Sequence, residues 1–291
     1  IFHNTAKVSG PNVENAAFQL YESFQDSVFN NLFTSFGNGM AFYVGTVLQT
    51  VVNYNGYYHS GPVLGTFEFG SYVLDNLQEW TALTGFDSNS VIYPPYFISG
   101  SNLHLGNSYF NGKGSPALSS IYDIDGEMRD ITNPDPGADE FDPESLDASI
   151  ASLLSPIASC DTFQNVEVVL INLGTDTITS AVVQWTLNGN AQPQVSFSGT
   201  LLPEGDTAHV ILQTMTLFDD QADTLVSRAE SLNGNADMFV ANDTLREFYS
   251  LPLSGAYTIG GVSPDFATIN SAMAALKNYS ICGPVTFLLR N

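Results

Sequence analysis

The stretch FNNLFTSFGNG, residues 29–39, decides the fold predicted for the first half of the chain. It joins apolar and aromatic residues to an asparagine-centred turn. Similar stretches precede and follow it, FHNTAKVSG at 2–10 and VVNYNGYY at 51–58. Repeats of roughly 20–30 residues are typical of a solenoid, in which each coil buries its apolar face against the next. The repeat therefore predicts stacked coils.

Asparagines recur within these stretches. Asn4, Asn30 and Asn53 are spaced by 26 and 23 residues. Asparagine suits a coil corner because it tolerates a left-handed backbone and bonds its own main chain. We expect the three side chains to stack one above another. With the β-favouring residues around them, they predict the C-terminal part of a parallel β-helix over residues 1–142; a β-sandwich with asparagine-rich turns is the alternative.

The composition restricts the class of function. The chain has 291 residues, 44% of them hydrophobic, and 30 acidic against 7 basic residues give a net charge of −23. A negative field repels phosphate backbones and anionic lipid, so we expect no nucleic-acid partner. No apolar run approaches the roughly 18 residues of a membrane span, so we expect no membrane insertion. Chains rich in polar and aromatic residues but poor in lysine are common among secreted bacterial surface proteins.

Short segments interrupt and resume the strand pattern. DNLQEWTALTG, residues 75–85, predicts a short helix between coils, with Asp75 as its cap and Gly85 at its end. Residues 90–99 and 102–110 resume strand-like sequence. Residues 143–158 are predicted to be a linker.

The second half has another organisation. Residues 159–252 show short alternating strands that end in glycine-containing turns, which predicts an immunoglobulin-like β-sandwich with Trp185 in its core. Residues 253–291 are predicted to begin a further β-helix. There Ser263 and Pro264 start a capping helix, and a first strand follows it. The predicted fold class is all-β.

An acidic stretch, DIDGEMRDITNPDPGADEF at 123–141, ends the predicted solenoid. Asp123, Asp125 and Asp130 could bind calcium, although the complete calcium-loop pattern is missing. The favoured interpretation is a solvated, turn-rich terminator, because proline cannot donate to a strand ladder. Arg129 would then neutralise one or two of the acids.

These motifs resemble a known family. The 123–141 stretch resembles the closing motif of right-handed β-helix domains in very large secreted proteins of the Bacteroidota. NVEVVLINLGTDTITSAVVQWTLNG, residues 165–189, resembles the immunoglobulin-like module that follows in such proteins, and residues 254–287 resemble the opening of the next β-helix. The resemblance implies a segment of a giant repeat protein, exported by the type IX system to the cell surface. It also implies a role in adhesion or in a surface fibre, with neighbouring repeats or copies as partners.

Aspartate followed by serine or threonine and then by Ala, Ile, Leu, Met, Val or Thr occurs five times, and this pattern is similar to the O-glycosylation sequon of the Bacteroidota. The alternative is that Asp-Thr is a common turn pair. The hydroxyl residues concerned are Ser27, Thr177, Thr207, Thr224 and Thr244.

Two cysteines, Cys160 and Cys282, could form a disulfide; two buried thiols are the alternative. They show no zinc or redox spacing, and no cofactor is expected beyond the calcium considered above.

Catalysis is not expected within this chain. A β-helix lyase needs a basic residue beside calcium and an anionic polymer, and the solenoid portion offers only Lys7, Lys113 and Arg129. A hydrolase needs paired carboxylates, which the coils lack. The predicted function is therefore structural or adhesive, and a β-helix lyase or hydrolase ranks third.

Carbohydrate recognition ranks second. It would use aromatic residues on the solenoid flank, namely Tyr54, Tyr57, Tyr58 and Trp80. Surface glycans are accordingly a candidate partner.

Overall fold

The structure is a computed structural model that describes residues 1–12, 14–156, 163–216, 223–249, 252–278 and 281–290. The chain divides into two compact units, unit 1 over residues 1–143 and unit 2 over residues 144–291. Strands dominate the described residues of both units, and two α-helices accompany them. The all-β prediction is confirmed.

Unit 1 consists of short strands and one helix. The helix α1 spans Leu77–Thr84. The strands are β1 Thr5–Gly10, β2 Ala16–Leu20, β3 Ser23–Phe24, β4 Ser27–Phe29, β5 Leu32–Gly37, β6 Met40–Val44, β7 Val47–Leu48, β8 Val51–Asn53, β9 Gly56–His59, β10 Gly65–Phe67, β11 Tyr72–Leu74 and β12 Val91–Ile92.

These strands stack in parallel from coil to coil. One sheet has the order β1-β5-β9-β12, and every pair in it is parallel. A second sheet stacks β2, β6 and β10 in parallel and ends with the antiparallel strand β11. Two shorter parallel pairs, β3–β7 and β4–β8, form further sides. Unit 1 is therefore a β-solenoid, and the alternative of a β-sandwich over these residues is wrong.

An asparagine ladder runs through the coils, but its members differ from the predicted ones. Asn31 Oδ1 accepts hydrogen bonds from the backbone and side-chain nitrogens of Asn4 at 3.1 and 2.9 Å. Asn55 Oδ1 accepts from the same two groups of Asn31, each at 3.0 Å. The stacked residues are therefore Asn4, Asn31 and Asn55, spaced by 27 and 24 positions. The prediction named Asn30 and Asn53 instead, which lie one and two residues before the asparagines that stack.

The residue before each ladder asparagine forms the corner. His3, Asn30 and Tyr54 have φ values of 53°, 56° and 57°, in the left-handed region. The sequence predicted that a single asparagine in each coil would both form the corner and stack on its neighbours. The structure divides them between adjacent residues, and only Asn30 is an asparagine at a corner.

The helix lies inside the third coil. Ser90 Oγ accepts from the backbone of Asn55, 35 residues earlier, so this coil is longer than the two before it. The cap is Asn76 and not Asp75, since its side chain accepts from the backbone of Glu79 at 2.9 Å. The helix ends at Gly85, as predicted, with φ at 74°.

The predicted strands after the helix are mostly absent. Only Val91–Ile92 of the stretch 90–99 is a strand, and Pro94 and Pro95 follow after one intervening residue. The stretch 102–110 contains a single 3₁₀ turn over Ser108–Phe110. A proline has no N–H to donate, which prevents the ladder from continuing here.

Unit 2 contains ten strands and the helix α2, Ile269–Asn278, within its described residues. The strands are β13 Ala148–Ser155, β14 Phe163–Asn172, β15 Ile178–Leu187, β16 Asn190–Ala191, β17 Val195–Leu201, β18 Thr207–Thr216, β19 Asp223–Glu230, β20 Thr244–Tyr249, β21 Leu253–Ile259 and β22 Ile281–Leu289.

Two antiparallel sheets form the larger part of unit 2. One has the order β13-β14-β18; in the other, β15 pairs with β16, β17 and β19, and β19 pairs with β20. The predicted linker at 143–158 is wrong over Ala148–Ser155, because those residues pair with β14 along its length. The predicted strands within 165–174 and 180–189 are confirmed.

One apolar core lies between these two sheets. Alternate residues of β14, Val166, Val168 and Leu170, are fully buried, as the period-two pattern requires. Trp185 is buried in the same core, and its indole N–H donates to the carbonyl of Pro193 at 3.0 Å. Its predicted role as a core anchor is confirmed.

Residues 253–290 form a parallel strand–helix–strand arrangement. The strands β21 and β22 pair in parallel, and α2 connects them. The helix begins five or more residues after the predicted Ser263–Pro264 start, with Thr268 Oγ1 accepting from the backbone of Ser271 at 3.1 Å. The sequence also predicts that Phe266, Ile269, Met273 and Leu276 line one face of the helix, and this prediction is wrong in part.

The later start of α2 changes which residues are buried. Ala272 and Ala275 face inward, whereas Ile269 and Met273 are exposed. Phe266 and Leu276 do contact the small core of this region.

We expect Asn31→Ala to lower the free energy of unfolding by about 2–4 kcal/mol, because it removes hydrogen bonds to two neighbouring coils and leaves buried partners unsatisfied. Chemical denaturation of the full chain measures this. Asn15→Ala is the matched control, since Asn15 is exposed, and it should change stability by less than about 0.5 kcal/mol. Equal effects of the two substitutions would refute the ladder.

Candidate functional site

The acidic stretch 123–141 folds around the guanidinium group of Arg129. Arg129 is only 3% exposed, and it forms an ion pair with Glu140 at 3.0 Å. Its Nη atoms also reach main-chain carbonyls, including those of Gly137 at 3.0 Å and Ala138 at 2.6 Å, and its Nε donates to Ser120 Oγ at 3.3 Å. The predicted neutralisation of acids by Arg129 therefore holds for Glu140, and most of its donors bind backbone.

The three carboxylates predicted to bind calcium do not form one ligand set. Asp123 accepts from the backbone nitrogens of Asp125, Glu127 and Glu140, and Asp130 accepts from the backbone of Thr132 and Asn133. Of the three, only Asp125 belongs to a group of ligand atoms close enough to share a cation, together with His104 and Asp139.

Hydrogen bonds also explain the pKa directions of two of these carboxyls. Partial burial would raise the pKa of Asp123, but the backbone N–H groups that it accepts from lower it overall. The hydroxyl of Thr132 and the nearby backbone N–H groups lower the pKa of Asp130. Both side chains therefore stabilise turns as ionised acceptors.

The end of the acidic stretch is attached to the first two coils. Asn30 exchanges hydrogen bonds with the backbone of Ser115, at 2.7 and 2.8 Å, and its carbonyl accepts from Gly137 at 2.8 Å. Thr5 Oγ1 accepts from the backbone of Ala138 at 2.9 Å. The interpretation as a solvated terminator is therefore wrong for residues 134–141, which are largely buried.

His3 contacts the residues that attach the acidic stretch to the coils. Its ring nitrogens contact the carbonyl of Gly137 at 3.2 Å and the hydroxyl of Ser119 at 3.1 Å. Burial, assisted by the charge of Arg129, lowers the pKa of His3 to about 4. The ring is therefore neutral at neutral pH and serves as a hydrogen-bonding bridge.

His104 belongs to an exposed polar group in unit 1. Its Nε2 lies 2.5 Å from Asp125 Oδ2, and its Nδ1 contacts Asn102. The hydrogen bond to Asp125 raises the pKa of His104. A cleft of about 350 Å³ adjoins it and is lined mainly by apolar atoms. Both ring nitrogens of His104 bond to neighbouring residues, so a role in local structure explains this group better than a bound ligand does.

A second acidic cluster lies in unit 2, and no sequence motif indicated it. The acidic cluster comprises Asp147, Asp237 and Asp243, each of which offers a carboxylate oxygen within 4.8 Å of the others. Asp147 immediately precedes β13, and Asp243 immediately precedes β20. The three residues are separated by up to 96 positions in the sequence, so only the packing of the two sheets against each other brings them together.

Burial changes the titration of this cluster. Burial and the charge of Asp237 raise the pKa of Asp147 to about 8. The same two causes raise the pKa of Asp243 to about 7, against the opposing charge of Arg228. Burial also raises the pKa of Asp237. Carboxylates in this state favour either a proton or a cation.

The residues of the five sequons lie on or near the surface. Thr207 and Thr244 are exposed, and Ser27, Thr177 and Thr224 are half-buried. Thr207 and Thr244 begin β18 and β20. Glycosylation of these positions stays a prediction. The predicted pairing of Cys160 with Cys282 also stays a prediction, because Cys160 lies outside the described residues.

Two of the aromatics proposed for carbohydrate recognition are core residues. Tyr57 and Trp80 are each 1% exposed, and both donate to Asp87, at 2.9 and 2.7 Å. Tyr54 and Tyr58 are half-buried, and Tyr54 stacks on Phe29. A different row of aromatic rings lies at the surface, in which Tyr21 is next to both Tyr43 and Phe69; Tyr43 is half-buried.

Adjacent rings in that row are close together. The ring centroids are 5.4 Å apart for Tyr21 and Tyr43 and 6.4 Å apart for Tyr21 and Phe69. Tyr21 is 54% exposed and Phe69 is 49% exposed. The row was missed because its members occupy different positions relative to the asparagines in each coil.

Neither a family model nor a curated protein matches this chain. Solved structures that resemble it include a domain of a protein described as a cell surface protein from Methanosarcina acetivorans, with 18% identity and a TM-score of 0.33; the match covers 38% of this chain and 95% of that one. Another is the CARDB domain of a Pyrococcus furiosus protein, solved in complex with di-metal ions. Its identity is 17% and its TM-score 0.29, and the match covers 40% of this chain and 100% of that one.

Among the described residues, neither α1 nor α2 is long and apolar enough to cross a membrane.

From the acidic cluster we predict an unusual pH dependence of folding stability when divalent cations are removed. Its carboxyls have folded-state pKa values above their unfolded values, so the folded state binds protons that the unfolded state releases, and stability falls as pH rises. We expect the free energy of unfolding in chelator to be larger at about pH 5.5 than at about pH 8, by about 2–3 kcal/mol. Denaturant titrations at both pH values measure this.

Other charged groups influence this measurement. Glu144 and Arg228 contribute to the field at the cluster, and in unit 1 His3 acts in the opposite direction, because its folded-state pKa lies below its unfolded value. The control is therefore Asp147→Asn, which should reduce the difference between the two pH values. A difference that is unchanged by this substitution would contradict the assignment.

Proposed function

We propose that this chain is a structural segment of an extracellular surface protein, with adhesion or fibre formation as the role of the whole. The observation that carries the proposal is the use of buried polar side chains in unit 1 to join one coil to the next. The asparagine ladder ends on Asp87, which accepts from Asn55 at 3.1 Å, from Tyr57 and from Trp80. Such side chains hold a rigid shape.

Three finer structural assignments belong to the same proposal. We propose that the solenoid is right-handed, that the two-sheet part of unit 2 is immunoglobulin-like, and that residues 253–291 open a further β-helix. The last assignment is supported by exposed apolar side chains on both sides of this region, including Ile269 and Met273 on α2 and Leu289 on β22. A further coil, from a neighbouring repeat or another copy, would bury them.

The surface location is also part of the proposal. The charge of −23 keeps a long repeat protein soluble and limits random self-association. Export by a type IX system, membership of a giant Bacteroidota protein and sugars on the sequon threonines are proposed from the sequence resemblance.

We further propose that the chain is not an enzyme. The solenoid carboxylates that a hydrolase would need have structural partners. Asp26 contacts Ser23 Oγ, and Asp87 is buried with donors on both oxygens. A lyase or hydrolase of β-helix type remains the third candidate.

Single-molecule force spectroscopy tests the structural role. The chain is held between marker domains of known unfolding force and stretched. We expect unit 1 to unfold in one cooperative step, because the ladder couples adjacent coils, and we expect Asn31→Ala to lower its unfolding force. Gradual extension of unit 1 at low force, with no discrete step, would contradict a mechanical function.

Carbohydrate recognition is the second candidate, and the surface row of Tyr21, Tyr43 and Phe69, in which Tyr21 and Phe69 are exposed, favours it, because aromatic faces at this spacing can stack on sugar rings. We expect binding on a glycan array to be lost, by at least about tenfold in affinity, in Tyr21→Ala. Tyr122→Ala is the control, since Tyr122 is similarly exposed but lies outside the row. An array on which the unmodified chain binds no glycan would remove this candidate.

A further inference from the structure

The acidic cluster of unit 2 contains buried oxygen atoms without partners. Asp147 is 1% exposed and Asp243 is 3% exposed. Within the described part of the chain, Oδ1 of each has no hydrogen-bond partner, and the same is true of Oδ1 of the adjacent Asn242. An unsatisfied buried acceptor costs about 1–3 kcal/mol, and more when it is charged. Three such atoms in one place need an explanation.

Buried carboxylates elsewhere in the chain show the contrast. Asp87 accepts hydrogen bonds on both oxygens from side chains of unit 1. Asp135 accepts from the backbone of Gly112 at 2.6 Å and of Phe141 at 2.8 Å, one bond on each oxygen. This fold therefore supplies donors to both oxygens of buried acids where it uses them structurally, whereas it leaves one oxygen of Asp147 and one of Asp243 without a donor among the described residues.

The third carboxylate of the cluster is held in place. Asp237 Oδ2 accepts from the backbone of Ala148, and its Oδ1 accepts from the backbone of Phe239, each at 2.9 Å. Asn242 donates its side-chain N–H to Asp147 Oδ2 at 3.1 Å. These bonds orient the cluster but leave lone pairs on every oxygen that accepts one of them. Such fixed orientation is typical of ligand sets that bind an ion.

The local charge is negative. Glu144 adds to the field at Asp147 and Asp237, and the basic residue that acts on Asp243 is Arg228. Arg228 itself forms an ion pair with Glu230. The cluster thus lacks a dedicated counter-charge among the described residues.

Solvent reaches the cluster through a cleft of about 300 Å³. Asp237 and Asp243 both line it, together with Val240 and the glycine and asparagine at 234 and 235. An ion could therefore enter without unfolding of unit 2.

We propose that Asp147, Asp237, Asp243 and the side-chain oxygen of Asn242 bind a divalent cation of the calcium type. Hard carboxylate and amide oxygens, with no nitrogen or sulfur ligand among them, are the donor set that calcium prefers. Bound there, the ion would join the start of β13 to the start of β20, which are strands of the two different sheets. It would stabilise the two-sheet part of unit 2 by linking those sheets.

Calorimetry on the full chain after removal of divalent cations tests this proposal. We expect calcium to bind saturably in isothermal titration, with a dissociation constant of about 1 mM or below. At saturation we expect the melting temperature of unit 2 to rise by about 5–10 °C. The absence of saturable heat from the unmodified chain at about 10 mM calcium would overturn the proposal.

Matched variants locate the site. Asp147→Asn and Asp243→Asn keep the shape but remove charge, so they should abolish the calcium response. In chelator they should melt at or above the temperature of the unmodified chain, because an uncompensated buried charge is gone. Glu247→Gln, an exposed carboxylate on β20, should respond to calcium like the unmodified chain.

A full calcium response in both Asp variants would also overturn the proposal, because the ion would then bind elsewhere. If neither variant folds, the titration of the unmodified chain decides alone. The response to magnesium, measured in parallel, should be weaker, because magnesium requires a smaller and more regular octahedral set.

Discussion

The buried ladder of amide side chains is the interaction on which unit 1 depends. A solenoid coil has few contacts of its own, so its position is set by what joins it to the coils above and below. Asn4, Asn31 and Asn55 provide that link, because each asparagine both donates and accepts and so satisfies the backbone and the side chain of its neighbour. An apolar residue could fill the same space, but it could not form hydrogen bonds with the backbone groups at a corner, which would then lack partners.

The same constraint explains one end of the ladder and one of its sides. At the end, Asp87 takes the place of the next asparagine and collects donors from the helix and from the third coil, which fixes α1 inside that coil. At the side, the Asn30 amide binds the backbone of Ser115, and the main-chain carbonyl of Asn30 accepts from Gly137 of the acidic stretch. Arg129 then organises that stretch by binding its carbonyls. The acidic stretch, despite its many charged residues, is thus held together mainly by hydrogen bonds to backbone atoms.

Sequence reasoning recovered the solenoid but not its register. The repeat of apolar residues and asparagines was sufficient to predict stacked coils. However, asparagines lie at both 30 and 31, and at both 53 and 55, and only strand pairing decides which of them stack. The strand at Ala148–Ser155 was missed because its small, alternating residues follow a proline and resemble a linker. The buried roles of Tyr57 and Trp80 follow from their bonds to Asp87, which no local pattern shows.

The acidic cluster of unit 2 was beyond the reach of sequence reasoning for a similar reason. Its members are far apart in the chain and match no calcium-loop spacing, whereas the motif that looked most like such a loop uses Asp123 and Asp130 to accept from its own backbone. Density of acidic residues is therefore a poor guide in a chain with 30 of them. The informative property is whether a buried carboxylate has donors, and only the folded arrangement reveals it.

Hydrogen exchange of the side-chain amides, followed by nuclear magnetic resonance, tests the ladder most directly. The NH₂ groups of Asn31 and Asn55 should exchange orders of magnitude more slowly than that of the exposed Asn12, and each should show a nuclear Overhauser contact to the asparagine of the adjacent coil. Rapid exchange of both groups, at the rate of Asn12, would contradict the account of how the coils are joined.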